Sequence, residues 1–350
     1  MTTQPKRRSR RKIIASILLG TLVVGLGAAE LTARLQGQVP YKPNDIQDII
    51  DPGGRLFTPH PRLGYTHIPG DYTITLADGF QFQASNDEAG LRRTCPKGEE
   101  ALHGEQGEVW ILGCSFTFGW SINDAETFPW RLQEWLPKYR VMNYGTNGYG
   151  TIHGLIQLED AIATGHKPDV AVIAYGSFHD DRNTFVRHRR KGVNAWKKFG
   201  PLIQPYGSLD ENGELVIEMA GTEYAEWPLQ RQSAFVHRLE RSYNDWESKQ
   251  ARSHDVTKAI VARMYELAET NDIELVLVGM ARTPETKDMI EYARSLGMEA
   301  MDVSLHLRKN RHLRNLPHDG HPNGAANELF AKKIGGFLKQ TVFPKLESEQ

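Results

Sequence analysis

Ser115 lies in the run Val109-Trp-Ile-Leu-Gly113-Cys-Ser115-Phe-Thr-Phe-Gly119, an apolar stretch that closes in a small-residue turn. Far downstream, Asp319-Gly-His321-Pro-Asn323 opens the last amphipathic stretch. A serine hydroxyl is a weak nucleophile at neutral pH unless a histidine takes its proton, and a carboxylate commonly orients that histidine. This pattern predicts acyl-transfer chemistry, with Ser115 as nucleophile, His321 as general base and then acid, and Asp319 as the orienting carboxylate. Singly, Ser115 is an ordinary small residue in a strand-to-helix turn, and His321 an ordinary loop histidine beside Pro322. Their joint placement carries the signal. Cys114 is an alternative nucleophile, but the Gly-x-Ser-x-Thr spacing favours the serine.

The elements that must position these groups are legible as a rhythm from Glu108 onward. Strands are expected at 108–113, 140–144, 169–175, 273–278 and 298–303. Helical periodicity appears from Thr127 to Leu136, from Thr257 to Leu267, and from Asn323 to Leu338 through Phe330, Ile334 and Phe337. Alternating strands and helices imply a mostly parallel α/β sheet with helices on both faces. In such sheets ligands sit at the carboxyl ends of the strands, which is where Ser115 and the 319–321 segment fall. Residues 106–345 form the expected main domain, interrupted by an insertion at about 183–252 that holds Trp196, Trp227, Trp246 and an Asn212-Gly213 hairpin turn. Residues 30–105 read as a small β-rich region, with a hairpin folded about Asp78-Gly79.

The N-terminus carries an address. Residues 1–12 hold six Lys/Arg and no acid. Since the whole chain has a formal net charge of -1, the remainder carries -7, which argues against a general nucleic-acid binder. An uncharged apolar run follows at 13–29, at the short end of the about 17–25 residues that a membrane span needs. The basic flank predicts a cytoplasmic N-terminus and an exported remainder. Gly27-Ala-Ala29 offers a competing cleavage site, and Ser9-Arg10-Arg11-Lys-Ile-Ile resembles a twin-arginine export signal. Two cysteines, Cys95 and Cys114, make no disulfide framework.

Three stretches together resemble the SGNH (GDSL-type) hydrolase superfamily over about residues 106–340. Gly113-Cys-Ser115-Phe-Thr117 resembles the block that usually reads Gly-Asp-Ser. Asn143-Tyr-Gly-Thr-Asn-Gly148 resembles the second block, and Asp319-Gly-His321-Pro-Asn the last. Glu30, Leu63-Gly-Tyr65, Pro69-Gly70 and Asn86-Asp-Glu-Ala-Gly-Leu-Arg92 resemble the leader of membrane-attached bacterial members. The resemblance implies a doubly wound, flavodoxin-like sheet and an oxyanion hole built from the N–H groups of Ser115 and Gly148. It departs from the pattern in the third block, which normally supplies an Asn. Here the strand ends Ala174-Tyr-Gly176-Ser-Phe-His179-Asp-Asp-Arg182-Asn183, so His179 is the expected substitute donor and Asn183 a poorer one.

The expected protein is therefore an exported serine esterase or O-acyltransferase, held in the bacterial inner membrane through residues 13–29 or secreted after cleavage. Its expected partner is an acylated (acetylated) small molecule or polysaccharide. A non-catalytic glycan-binding or assembly protein on the same fold, and a lipase or thioesterase, are the alternatives. No cofactor is required by this chemistry. His306, His312, His318 and His321 fit no compact metal-ligand spacing, so no metal site is expected. Asp180 and Asp181 are assigned no role. The basic run Arg187-His-Arg-Arg-Lys191 reads as solvated, with an anionic substrate as the alternative.

Overall fold

A computed structural model describes residues 6–43, 48–194 and 202–349; Trp196 and the first five residues lie outside them. By internal contacts the chain divides into two compact units, Met1–Asn44 with Tyr224–Glu247, and Asp45–Glu223 with Ser248–Gln350.

The larger unit is built on five parallel strands, β6 (Glu108–Leu112), β7 (Arg140–Asn143), β8 (Val170–Tyr175), β11 (Glu274–Gly279) and β12 (Glu299–Asp302). Their spatial order is β12-β11-β8-β6-β7, and every neighbouring pair is parallel. This is the doubly wound, flavodoxin-like arrangement, in which the strand order reverses beside the first strand. Side chains alternate across the sheet as the period of two requires. Val109, Ile111, Val172 and Val276 pack on one face with Phe128, Leu132, Phe330 and Ile334. Trp110, Leu112, Ile173 and Leu275 pack on the other with Ile152, Leu155, Ile260 and Met289. The first set belongs to helices α3 (Phe128–Trp135) and α10 (Gly324–Phe337), the second to α4 (Thr151–Ala163), α8 (Ser253–Thr270) and α9 (Pro284–Ser295).

The same unit contains the β-rich region. β1 (Ile49–Asp51), β4 (Gly70–Thr75) and β5 (Gln81–Asn86) form an antiparallel sheet, with β4 and β5 joined through Gly79 at φ 90°. β2 (Phe57–His60) pairs with β3 (Gly64–His67). The hairpin of β9 (Ile203–Leu209) and β10 (Leu215–Gly221) turns through Gly213 at φ 85°. Neither cysteine is bonded; both thiols are buried.

The smaller unit holds α1 (Lys6–Leu35) and most of α7 (Ala234–Gln250). The stretch Lys12–Leu35 is long and apolar enough to cross a membrane: its most apolar 18 residues have a mean hydropathy of 2.0 and none of them is buried in the protein, whereas Ala33, near its end, is buried.

Arg92 ties the β-rich region to the segment following Ser115. Its side chain is 1 % exposed. Nε donates to Asp124 at 2.7 Å, Nη1 to the Phe118 and Gly119 carbonyls at 2.8 and 2.5 Å, and Nη2 to those of Gln83 and Ile122 at 2.8 and 2.7 Å. The edge of β5 completes the join, with Gln83 N–H donating to Asn123 at 2.9 Å and Ser85 N–H to Asp124 at 3.1 Å. Removing one member of a buried ion pair leaves the other charge uncompensated and costs about 3–5 kcal/mol. Arg92→Met is accordingly expected to lower the unfolding free energy by about that amount, read as a lower denaturant midpoint at unchanged slope. A midpoint within experimental scatter of the parent would show that Arg92 does not secure this join.

Candidate active site

Ser115 begins a single helical turn, α2 (Ser115–Phe118), directly after β6. The turn ends at Gly119, whose φ of 85° favours glycine. Asn143, at the end of β7, holds the turn from the side: its Nδ2 donates to the Thr117 carbonyl at 3.0 Å, and its Oδ1 accepts from Gly145 N–H at 3.0 Å. The approach is close enough that a Cβ on Gly145 would lie 2.5 Å from the Phe118 amide nitrogen. The 145–148 segment is thereby pressed against the turn that carries Ser115.

His321 and Asp319 sit in the loop before α10. That loop is closed by Asp319 N–H to the Asn315 carbonyl at 2.9 Å and Asn315 N–H to the His321 carbonyl at 3.0 Å. Asn315 Nδ2 also donates to the Ser121 carbonyl at 2.7 Å, which fastens the loop to the Ser115 side. His321 Nε2 lies 2.9 Å from Ser115 Oγ, and His321 Nδ1 lies 2.5 Å from Asp319 Oδ1. Asp319 Oδ1 also accepts from His321 N–H at 2.7 Å and from Ser121 Oγ at 3.3 Å. Burial works to raise the Asp319 carboxyl, but the bonds from His321 and Ser121 outweigh it and hold the group below its ordinary value. It therefore contributes stability that is present above the unfolded carboxyl value and lost as the pH falls through the lower folded one.

Ser115 N–H and Gly148 N–H have no acceptor among the described residues. Gly148 takes φ 83°, and its segment is held by its carbonyls. Tyr65 Oη donates to Asn147 O at 2.5 Å, Arg189 Nη2 to Gly148 O at 2.6 Å, and Arg182 Nη1 to Tyr149 O at 2.8 Å. Tyr149 Oη returns to the Tyr65 carbonyl. Asn147 C=O and Gly148 N–H share one planar trans peptide and so point in opposite directions. Tying the carbonyl to buried Tyr65 turns the Gly148 amide the other way.

His179 is not brought to this site. The expectation that it presents an N–H to the oxyanion fails because the ring is 1 % exposed, whereas such a donor must be open to the entering carbonyl oxygen. Its Nδ1 lies 3.3 Å from Thr151 Oγ1, its Nε2 is buried without a partner among the described residues, and its faces meet Tyr175 and Phe178. Burial, with Arg182 and His153 adding to it, pushes the imidazole well below its ordinary pKa and keeps it neutral. Asn183 is also committed elsewhere: Oδ1 accepts from Ile152 N–H at the start of α4 at 3.1 Å, and Nδ2 donates to Thr257 Oγ1 at 2.8 Å. The Cys114 side chain is 1 % exposed, which leaves its thiol closed to a substrate.

Several contributors escaped the sequence reading. Arg189 lies in the basic run read as solvated, yet it grips Gly148, and burial with the neighbouring Arg182 lowers its pKa to about 10. Tyr65 and Ser121 carry no local signal of their roles. Half-exposed Phe116 and Phe178 pair at 5.3 Å between ring centres, and Phe116 meets the His321 ring edge-on at 5.7 Å.

No family model matches the chain, and no curated protein matches it in sequence. Solved structures do resemble it. A member of the lipolytic protein G-D-S-L family from Veillonella parvula is 11% identical, with 67% of this chain and 98% of that one covered and a TM-score of 0.38. A protein assigned to the same lipolytic family from Desulfitobacterium hafniense is 17% identical, with coverages of 65% and 98% and a TM-score of 0.35. A gut microbial diltiazem-metabolizing enzyme is 17% identical, with coverages of 67% and 48% and a TM-score of 0.33. Identity and superposition are both low, and the chemistry of the site rests on this chain's own residues.

Asn183→Ala leaves the buried Ile152 amide without its acceptor and removes a donor from Thr257 Oγ1, at about 1–3 kcal/mol for such a loss. Equilibrium unfolding is expected to show a stability loss of that size. An unchanged unfolding free energy would contradict the placement of Asn183 as a clamp between α4 and α8.

Proposed function

We propose that the chain is a serine ester hydrolase or O-acyltransferase. The observation that supports this most is the 2.9 Å contact of Ser115 Oγ with His321 Nε2, together with the 2.5 Å contact of His321 Nδ1 with Asp319. In this reading His321 takes the Ser115 proton as Oγ bonds to the ester carbonyl carbon. The carbonyl oxygen becomes an oxyanion, met by the free amides of Ser115 and Gly148. His321 then gives the proton to the leaving alkoxide as the carbon–oxygen bond breaks, and the acyl group stays on Ser115. Water, or the hydroxyl of an acceptor, enters by the same steps in reverse. Asp319 holds the imidazole in the tautomer with its proton on Nδ1 and offsets the charge that forms.

The Phe116–Phe178 pair gives the site an apolar wall, suited to a short acyl group such as acetyl or to the C–H face of a sugar ring. With α1 able to enter a membrane, the reading extends to acylated cell-envelope or secreted polysaccharide, met outside the cytoplasmic membrane. The non-catalytic glycan-binding alternative rests on one observation: the side chains at the third strand's exit, His179 and Asn183, are committed to packing rather than to an oxyanion.

Ser115→Ala and His321→Ala are each expected to lower kcat for p-nitrophenyl acetate by about 10⁶-fold, and the double variant by no more, since the two act as one unit. Turnover surviving in folded Ser115→Ala would remove the nucleophile from the proposal. Tyr65→Phe should lower kcat about tenfold with little change in KM, because it loosens a donor whose outright loss is worth about 100- to 1000-fold. A pure KM effect would show that Tyr65 does not position the Gly148 amide.

A further inference from the structure

Helix α7 carries an apolar stripe, most of which stands exposed among the described residues. Phe235, Leu239, Tyr243 and Trp246 recur at helical spacing along one side. Leu239 is 45 %, Tyr243 39 % and Trp246 52 % exposed. Tyr243 is flanked by the rings of Trp227 and Trp246 at 5.6 and 5.5 Å, so the patch is a contiguous aromatic cluster.

The other sides of α7 are occupied. Glu30 of α1 caps its first turn, accepting from Ser233 Oγ at 2.6 Å, Phe235 N–H at 2.9 Å and Ala234 N–H at 3.1 Å. The chain leaving α1 then packs on α7: His237 Nδ1 meets Val39 O at 2.8 Å, Arg241 donates to Gln38 at 3.2 Å, and Arg238 donates to Gln36. Ala234, His237, Arg238 and Arg241 form the side opposite the aromatic stripe. A third side buries Glu240 and Asn244, which bond to each other at 3.0 Å.

The placement of these contacts along α1 supplies the occupant. A helix rises about 1.5 Å per residue, so a span of about 30 Å of hydrocarbon that begins at Ile13, just past Lys12, ends near Thr32. Glu30 then sits at the outer boundary of the hydrocarbon and carries the start of α7 to that level. Gln36, Gln38 and Val39 lie beyond the boundary and occupy the side of α7 opposite the stripe, which leaves the aromatic face as the one free to meet the headgroups. Tyr and Trp are the side chains enriched at this depth, and an amphipathic helix there buries its apolar face at the headgroup–acyl boundary.

We propose that the Leu239–Tyr243–Trp246 face of α7 lies in the headgroup region of the phospholipid bilayer crossed by α1. This rests on the anchor reading of α1, in which that helix stays attached to the unit that carries α7. Glu30, Gln36, Gln38 and Val39 all belong to the join.

The test is full-length protein, one copy per nanodisc, in phosphatidylcholine with phosphatidylglycerol, with and without lipids brominated near the headgroup end of the acyl chain. Brominated lipid is expected to quench part of the tryptophan emission. Trp246→Phe, a substitution that keeps an apolar ring, should lose the larger part of that quenching, and Trp227→Phe a smaller part. Quenching unchanged in Trp246→Phe, while the protein still resists carbonate extraction from membranes, would overturn the proposal and leave the anchor intact. Extraction by carbonate would overturn both. Emission that is unquenched at one copy, and shifts to the blue only when copies share a vesicle, would assign the face to a second chain and also overturn the proposal.

Discussion

The 2.9 Å contact between Ser115 and His321 joins residues 206 apart in the chain, and most of the polar structure around it works to keep those two segments in register. A serine–imidazole hydrogen bond is useful only within a few tenths of an ångström, a tolerance that two free loops cannot keep. On the serine side, Asn143 holds the Thr117 carbonyl and Arg92 gathers those of Phe118, Gly119 and Ile122. On the histidine side, the Asn315–Asp319–His321 loop closes on itself and reaches across to the Ser121 carbonyl. Ser121 is thus bonded to both Asn315 and Asp319, making it the seam between the halves.

The β-rich N-terminal strands belong to this support rather than to a separate body. Arg92 and the amides of Gln83 and Ser85 secure the segment after Ser115, while Tyr65 secures the segment that carries Gly148. The tip of the β4–β5 hairpin reaches His318, next to Asp319, through Asp78 at 2.7 Å and through the stacked ring of Phe80 at 4.4 Å. Both ends of the candidate site therefore lean on residues that precede the parallel sheet in sequence.

What could be read from the sequence divides along physical lines. The five strands were legible to within a residue or so because each is a short apolar run between breakers. The order of elements likewise put Ser115 just after the first strand of the parallel sheet and Asp319 and His321 just ahead of the last amphipathic helix, where the three lie. Side-chain direction was not legible. His179 does follow the third strand, but the chain turns at once through Ser177–His179 into α5 (Asp180–Asn183), and that turn rolls the imidazole inward. Asn183 likewise faces α4 and α8. The roles of Tyr65, Arg92 and Arg189 depend on partners 82, 26 and 41 residues away, and no local pattern encodes such pairings. Helix α4 escaped notice because its sequence, Thr151–Ala163, mixes His153 and Gly154 into its buried face, blurring the apolar period.

If His321 makes Ser115 a nucleophile, an electrophile aimed at activated serines should find that residue alone. Reaction of the folded full-length protein with a fluorophosphonate, followed by peptide mapping, tests this most directly, because the reagent reports an activated serine whatever the natural acyl group or acceptor. The expected result is a single adduct on the peptide containing Ser115, absent when His321 is replaced by Ala. An unlabelled folded protein, or an adduct on any other side chain, would contradict the assignment of Ser115 and His321.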